Sequence, residues 1–470
     1  MHRRVSSTVS LWGPLLSGLV VASAGCNRPS AATAERGVAI GRGVTSSSPP
    51  APPGDREGSA GSAGWPGLFG PDHNGVSRET NVLAQWPDAG PPVRWSRPLG
   101  TGYAAPVVGS GMLVLFYRDG DVEVIEGARA DSGRTRWTFR YPTAYRARVN
   151  YSDGPYSTPA LDRDHVYAWG AEGRLHCLDL HRGVPCWSRS LNAEYQVEPG
   201  MFPVSSSPLL DGDRLIVNVG GRPSTAGIVA LNKHTGDTLW TATADGASCA
   251  TPAAATLHGR RFVFVWTYEH LVALDPASGR VWWQIPFRAH HPDTINASSP
   301  VVCGDLVLVS GYQVGSLCVR VRSDGSYQEL WRGHKQVLDS HYNNLVCRDG
   351  YVYGFGTIGG GLRCVQMETG RLMWRWKSRL RNAASIAVGD RLILFDERGR
   401  LASVAVSPRG CQPVSQTTAG LLAGRCFSAP ALSGGLLYLR NEEELRCLDL
   451  RPTAADPAGQ DVRLAKRDGG

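Results

Sequence analysis

From Trp65 onward the apolar residues fall in short runs, such as 215–219, 262–265, 306–309 and 392–395, each bounded by Gly or Asp. Runs of that length between turn residues predict strands, not helices. The strands come in a recurring order. A Ser/Thr-Pro or similar pair opens each group, and an apolar strand, a Gly or Asp turn and a second strand follow. A third strand then ends in an acidic or amide residue, ahead of a Gly turn and a Trp. The clearest copies run from Ala230 through Asn232, Thr235 and Gly236 to Trp240, and from Ala273 through Asp275, Ser278 and Gly279 to Trp283. Weaker copies end at Gly133 with Trp137, Gly183 with Trp187 and Gly370 with Trp374, and Trp331 joins the same set.

The strand-start prolines, Pro106, Pro159, Pro208, Pro252 and Pro300, are spaced by 53, 49, 44 and 48 residues, and the pattern resumes at Pro430. The 130 residues between Pro300 and Pro430 hold two degenerate starts near Asn344 and Ile386, making eight repeats. Four strands in about 45 residues cannot bury both faces of their sheet alone, so repeats must stack around an axis. The expectation is an all-β, eight-bladed β-propeller of four-stranded antiparallel blades. The Gly of each motif permits positive φ in the last turn, and the Trp plugs the gap between blades. The eighth repeat runs out before its Trp, whereas an orphan Val93-Arg94-Trp95 precedes the first. A strand near Trp95 is therefore expected to complete the last blade and close the ring without a free edge.

Composition agrees and excludes alternatives. The 56 Gly and 31 Pro in 470 residues, with 19% charged residues against about 25% in ordinary domains, rule out a mainly helical fold. The net charge of +8 is not gathered into a basic stripe, so nucleic acid is not an expected partner. At the amino end Arg3 and Arg4 precede an apolar run from Leu11 to Val21, the length of a signal-peptide core. Two processing sites compete: Ala22-Ser23-Ala24 suits signal peptidase, and Ser23-Ala24-Gly25-Cys26 resembles a lipobox that would lipidate Cys26. Residues 1–26 are thus expected to be an export signal of lipoprotein type. Residues 27–64 are too poor in large apolar groups to fold and form a tether of roughly 30 to 35 Å root-mean-square reach. The propeller takes 65–451, and 452–470 is a second tail. Asn27 after Cys26 resembles outer-membrane sorting, with a soluble periplasmic protein as the alternative.

Cysteine spacing follows the repeat. Cys177, Cys318, Cys364 and Cys447 align with Ala230 and Ala273, a small buried packing position, and Cys303 and Cys347 share a second equivalent position on the first strand. Disulfides between Cys177 and Cys186, or Cys411 and Cys426, stay open. With no C-x-x-C in the chain, no metal site is expected.

The phrase Ala-x-Asn/Asp-x-x-Thr/Ser-Gly-x-x-x-Trp resembles the tryptophan-docking motif of the pyrroloquinoline-quinone (PQQ) repeat superfamily, over about Trp65 to Leu450. The stretch from Trp65 through Phe69, Asp72 and His73 to Ser77 is similar to a branch of exported PQQ-like proteins. The resemblance implies two functions. BamB-like assembly lipoproteins have the ring without a cofactor, and quinoprotein alcohol dehydrogenases hold PQQ and calcium in the axial channel. The dehydrogenases clamp the quinone with adjacent cysteines, which this chain lacks, and the blades leave little length for a cofactor chamber. Trp169 and Trp266 read as core and not as quinone-stacking faces.

The loops that lead into the innermost strands should converge on one mouth. They carry Arg146, Arg148 and Tyr151 before blade two, His290 before blade five, and His341 and Asn344 before blade six. Arg381 precedes blade seven and Arg425 blade eight. Arg forks in that gathering suit an anionic ligand. No catalytic residue is named by the pattern. The expected function is a monomeric, envelope-anchored, non-catalytic scaffold for outer-membrane proteins or an extracellular polymer, without cofactor. The alternative is a periplasmic PQQ- and calcium-dependent dehydrogenase of alcohols or sugars.

Overall fold

Each of the first seven repeats folds as one four-stranded antiparallel sheet. In the computed structural model, which describes residues 64–288, 295–333 and 337–452, eight such sheets form a propeller ring. Blades 1 to 7 span 107–142, 160–190, 209–242, 253–286, 301–333, 346–376 and 384–416, each with its strands in chain order from the axis outward. The degenerate sixth and seventh repeats are therefore full blades. Among the described residues a four-residue helix, Leu191–Glu194, is the helical exception, and no helix is long and apolar enough to cross a membrane. Cys26, the signal and tether before residue 64, and the tail from 453 lie outside the described residues.

In blade 1 the second and third strands, Met112–Asp119 and Val122–Arg129, are buried along nearly their whole length, while the outer strand Thr135–Pro142 alternates. The sandwiching explains the difference. Middle strands face a neighbouring blade on both sides and read as continuous apolar runs, whereas outer strands keep one wet face. The innermost strands pack around the axis: Val107–Gly109 touches Ala160–Leu161 of blade 2 and also Ala431–Ser433 of the eighth sheet.

The Ser/Thr-Pro starts form a belt of hydrogen bonds from blade to blade. Ala105 N–H donates to Thr158 Oγ1 (2.9 Å), Thr158 N–H to Ser207 Oγ (2.9 Å), Ser207 N–H to Thr251 Oγ1 (3.0 Å), and Thr251 N–H to Ser299 Oγ (2.9 Å). The hydroxyl immediately before Pro159, Pro208, Pro252 and Pro300 satisfies a buried backbone donor of the preceding blade, which is why Ser or Thr stands there. Asn344 does the equivalent between blades 6 and 7, accepting from Ser385 N–H (2.8 Å) and donating to Ser385 O (2.7 Å).

The tryptophans dock one blade onward. Trp137, Trp187 and Trp240 donate Nε1–H to the carbonyls of Leu180, Lys233 and Pro276, each at 2.9 Å. Trp331 and Trp374 reach Met367 O (2.8 Å) and Ser407 O (2.7 Å) in the same way. The indole lies on the motif glycine of the next blade: a Cβ on Gly183 would sit 2.5 Å from Trp137, and one on Gly279 2.6 Å from Trp240. These glycines have φ of +68° and +73°. They are required both by the turn and by the neighbouring blade's indole. Within its own blade each Trp also lies opposite a small residue, as Trp187 does Cys177, Trp240 Ala230 and Trp374 Cys364. That placement explains the alternation of Ala and Cys; blade 1 has Gly127, where a Cβ would fall 2.2 Å from Trp137.

Blade 7 has Ser415 at the Trp position, opposite Ser403. The buried Trp86, from the segment before the first repeat, sits there instead and exchanges hydrogen bonds with Ser415, N–H to Oγ at 2.9 Å and Oγ–H to Trp86 O at 3.3 Å. The eighth sheet combines three strands from 431–449 with Val93–Pro98 as its outer strand, Trp95 pairing with Cys447. Trp95 then lies on Gly133 of blade 1. Arg440, fully buried, links the last and first blades by donating to Gly100 O (2.8 Å), Phe116 O (3.0 Å) and Ala104 O (3.3 Å). Burial brings its pKa down to about 10, outweighing the attraction of Glu442.

One cysteine reading is corrected. Cys303 and Cys347, taken as equivalent packing positions, form a disulfide with Cα atoms 6.0 Å apart, while Cys177, Cys186, Cys411 and Cys426 are free thiols. Equivalent residues are widely separated on outer strands, but innermost strands converge at the axis and come within bridging range. The bridge closes a loop across a sequence separation of 44. Replacing both residues by alanine is expected to lower the urea-unfolding free energy by about 2–4 kcal/mol, with the same loss on reducing the native protein.

Candidate functional site: the axial mouth

Six loop residues stand three positions before a strand-start proline: Tyr103, Tyr156, Ser205, Cys249, Ala297 and Phe427. All six line one axial cavity of about 200 Å³. The repeat thus sets one residue per blade at the axis, and three of the six are aromatic. Tyr103 contacts Tyr156 (ring centroids 4.7 Å) and Phe427 (5.2 Å), and Tyr342 contacts Phe427 (5.3 Å). His341 packs, tilted, between Tyr342 (5.1 Å) and Tyr312 (4.8 Å), extending the collar across the mouth. Burial lowers the pKa of His341, so its imidazole is neutral near pH 7. Burial pushes the Tyr103 phenol up to about 12.

The floor of this cavity comes from the segment that opens the domain. Trp65 exchanges two backbone hydrogen bonds with Val108 of blade 1 (2.8 Å each), and Leu161 N–H of blade 2 donates to Pro66 O (2.7 Å). At its other end Ala387 of blade 7 donates to Gly75 O (2.9 Å) and accepts from Ser77 N–H (2.8 Å). Residues 65–77 therefore cross the axis from one side of the ring to the other, satisfying innermost strand edges that would otherwise be bare. Leu68 and Phe69 line the cavity above, and Phe69 also lines a second hollow beyond, beside the Cys303–Cys347 bridge.

Asn343 is the distinctive polar group. It is 2% exposed and lines the cavity, and neither its side-chain oxygen nor its nitrogen has a hydrogen-bond partner. Leaving a buried amide unmade costs about 1–3 kcal/mol, so Asn343 is poised to meet a ligand that offers a donor and an acceptor.

The arginines expected at the mouth are spent elsewhere. Arg146 pairs with Asp121 (2.8 Å) and Asp153 (4.0 Å), Arg148 donates to Pro199 O (3.3 Å), and Arg425 donates to Asn150 O (2.7 Å). Together they hold the loop of 145–153 in place. Arg146 and Arg148 line a separate cleft of about 720 Å³ beside blades 2 to 4, and the Arg381 side chain lines neither hollow. Tyr151, 42% exposed, forms the rim near Phe202 and Phe427. Asn344 is committed to its blade link. His290 lies outside the described residues. Asp396 is buried and accepts from the backbone N–H groups of Arg398, Arg400 and Arg381. Glu397 accepts from Tyr342 Oη (2.6 Å) and Asn382 Nδ2 (2.9 Å), supporting the collar from behind.

PQQ with calcium does not fit these residues. Among the described residues the cavity lining contains no carboxylate and no charged side chain. Its volume lies below the roughly 300–1,000 Å³ of small-molecule sites. Trp169 and Trp266 are 1% and 0% exposed in the seams between blades, with Trp266 Nε1–H bonded to Phe287 O (2.8 Å).

Residues 118–376, a little over half of the chain, match the family described as outer membrane protein assembly factor BamB. Among solved structures, BamB from Moraxella catarrhalis aligns with a TM-score of 0.56 at 17% identity, covering 77% of this chain and 100% of that one. Quinohemoprotein alcohol dehydrogenase from Comamonas testosteroni aligns with a TM-score of 0.57 at 14% identity, covering 86% and 83%. At those identities the likeness is one of fold. A quinoprotein ethanol dehydrogenase of Pseudomonas aeruginosa is 26% identical over 155 residues, which are 30% of this chain; the match spans 24% of that protein's length.

Proposed function

The chain belongs to the family described as outer membrane protein assembly factor BamB, and from that premise we propose that it is an exported, non-catalytic binding scaffold of the cell envelope. Residues 1–26 direct export and lipidation at Cys26, 27–64 tether the ring, and 65–451 bind the partner. The partner is a segment of another envelope protein that inserts a side chain into the axial collar. The observation that carries this reading is the cavity itself: about 200 Å³, aromatic, floored by Phe69 and without a charged side chain among the described lining residues. Such a site gives apolar contact to an inserted group and, through Asn343, one paired donor and acceptor.

The test pits this function against quinone-dependent oxidation. The purified chain is titrated with PQQ and calcium while Trp fluorescence and dye reduction by alcohols and sugars are followed. No saturable quenching and no turnover are expected, and a defined envelope protein cross-linked to the native chain should be lost in Phe427→Ala and Asn343→Leu. Saturable quenching with turnover would sink the scaffold reading. Recovery of a polysaccharide in place of a protein would redirect it to an extracellular polymer.

A further inference from the structure

The seam between blades 2 and 3 brings together three metal-ligating groups, none of which lines the axial cavity. His165, at the start of the strand His165–Trp169, Cys177 in Arg174–Asp179 and Cys186 in Pro185–Ser190 have ligand atoms all within 4.8 Å of one another. The strand register produces this. Tyr167 pairs with Cys177 and His165 with Asp179, which puts His165 and Cys177 on one face. Cys186 falls in the bulge where Cys177 pairs with Trp187 and Leu178 with Pro185, which turns its thiol toward the same group.

We propose that His165, Cys177 and Cys186 form a zinc site. Thiolate with imidazole is a zinc donor set. In a tetrahedral site with zinc–sulfur near 2.3 Å and zinc–nitrogen near 2.0 Å, ligand atoms lie about 3.5–3.8 Å apart, so closure needs shifts of about 1 Å at most. The imidazole is already oriented. Its Nδ1 faces Asp162 Oδ1 at 3.2 Å, and with Nδ1–H donated to that carboxylate, Nε2 would be the nitrogen that meets the metal. Asp162 is itself held by Tyr167 Oη (3.1 Å), His165 N–H (2.7 Å) and Lys233 Nζ of blade 3 (3.4 Å). Cys177 is buried and Cys186 exposed, so the fourth position opens to solvent and takes a water. Both thiols lose their protons on binding, to water, and no redox change is involved.

The test uses the full chain, reduced and then freed of reductant, with cobalt(II) as a spectroscopic probe and zinc(II) as competitor. One cobalt per chain is expected to produce a thiolate-to-metal absorption band that zinc abolishes. Cys186→Ser changes an exposed residue and should keep the native circular dichroism while losing the band. Asp162→Asn should keep the band and weaken metal binding about 10–100-fold. No band at stoichiometric cobalt, a band unchanged in Cys186→Ser, or a Cys177–Cys186 disulfide in protein recovered from an oxidising compartment would each overturn the site.

Discussion

A chain shortened to begin at Leu99 is expected to lose the closed ring. The missing residues include the buried Trp65, Val82 and Trp86 as well as the outer strand Val93–Pro98 of the last sheet. Each large buried aromatic is worth about 3–5 kcal/mol on truncation. Removing two of them, with Trp95 and a strand pairing, exceeds most of the roughly 5–15 kcal/mol that holds a typical domain together. The strand Glu444–Asp449 would also become a bare edge, prone to pairing between chains. The expected outcome is insoluble or rapidly proteolysed protein, measured by size-exclusion recovery and limited proteolysis against the intact chain. A soluble, monomeric ring of undiminished protease resistance would show that the segment is dispensable.

Within the ring, Trp240→Ala is expected to cost about 3–5 kcal/mol. The indole is 9% exposed, bonds to Pro276 O at 2.9 Å and covers Gly279 of the next blade. Truncation leaves a hole between blades 3 and 4 and an unpaired carbonyl, and the interface term between neighbouring repeats is what makes a propeller cooperative. Gly279→Val attacks the same contact from the other side. It forces a β-branched residue to φ +73° and places its Cβ 2.6 Å from the Trp240 ring, so a loss of similar size is expected. Leu239→Ala, at a residue 48% exposed beside the Trp, serves as the control and should change stability by no more than about 0.5 kcal/mol. Urea unfolding followed by near-ultraviolet circular dichroism measures all three. A change under about 1 kcal/mol for Trp240→Ala would mean that the docking contact is not what couples the blades.

The arginines show where sequence position stops short of structure. Their loops do reach the mouth region, but Arg146 meets Asp121, which stands in the turn of blade 1, and Arg425 meets the carbonyl of Asn150 from blade 2's loop. Those partners lie far apart in sequence, and a guanidinium near a free carboxylate or carbonyl is taken up by it before any ligand arrives. The aromatic collar, by contrast, had a readable signal. Tyr103, Tyr156 and Phe427 share the third place before a strand-start proline, and aligning the repeats on that proline sets them side by side. What alignment could not show is that Asn343 would be left without partners, since that depends on every neighbour at once.

The chain by itself determined the blade count, the four-strand order, the docking tryptophans and their glycines, because those follow from local periodicity and from residues whose size or φ is tied to one position in the repeat. Only the tertiary structure decided what happens where the repeats meet. Cys303 and Cys347 bridge because innermost strands converge, and Trp86 replaces a missing indole because chain length brings it to blade 7. Residues 65–77 cross the axis because bare innermost strand edges need partners. His165, Cys177 and Cys186 gather because a bulge turns one strand by a single residue. Each is a contact between segments with no fixed spacing in sequence, set by the curvature of a closed ring and not by the pattern of any one blade.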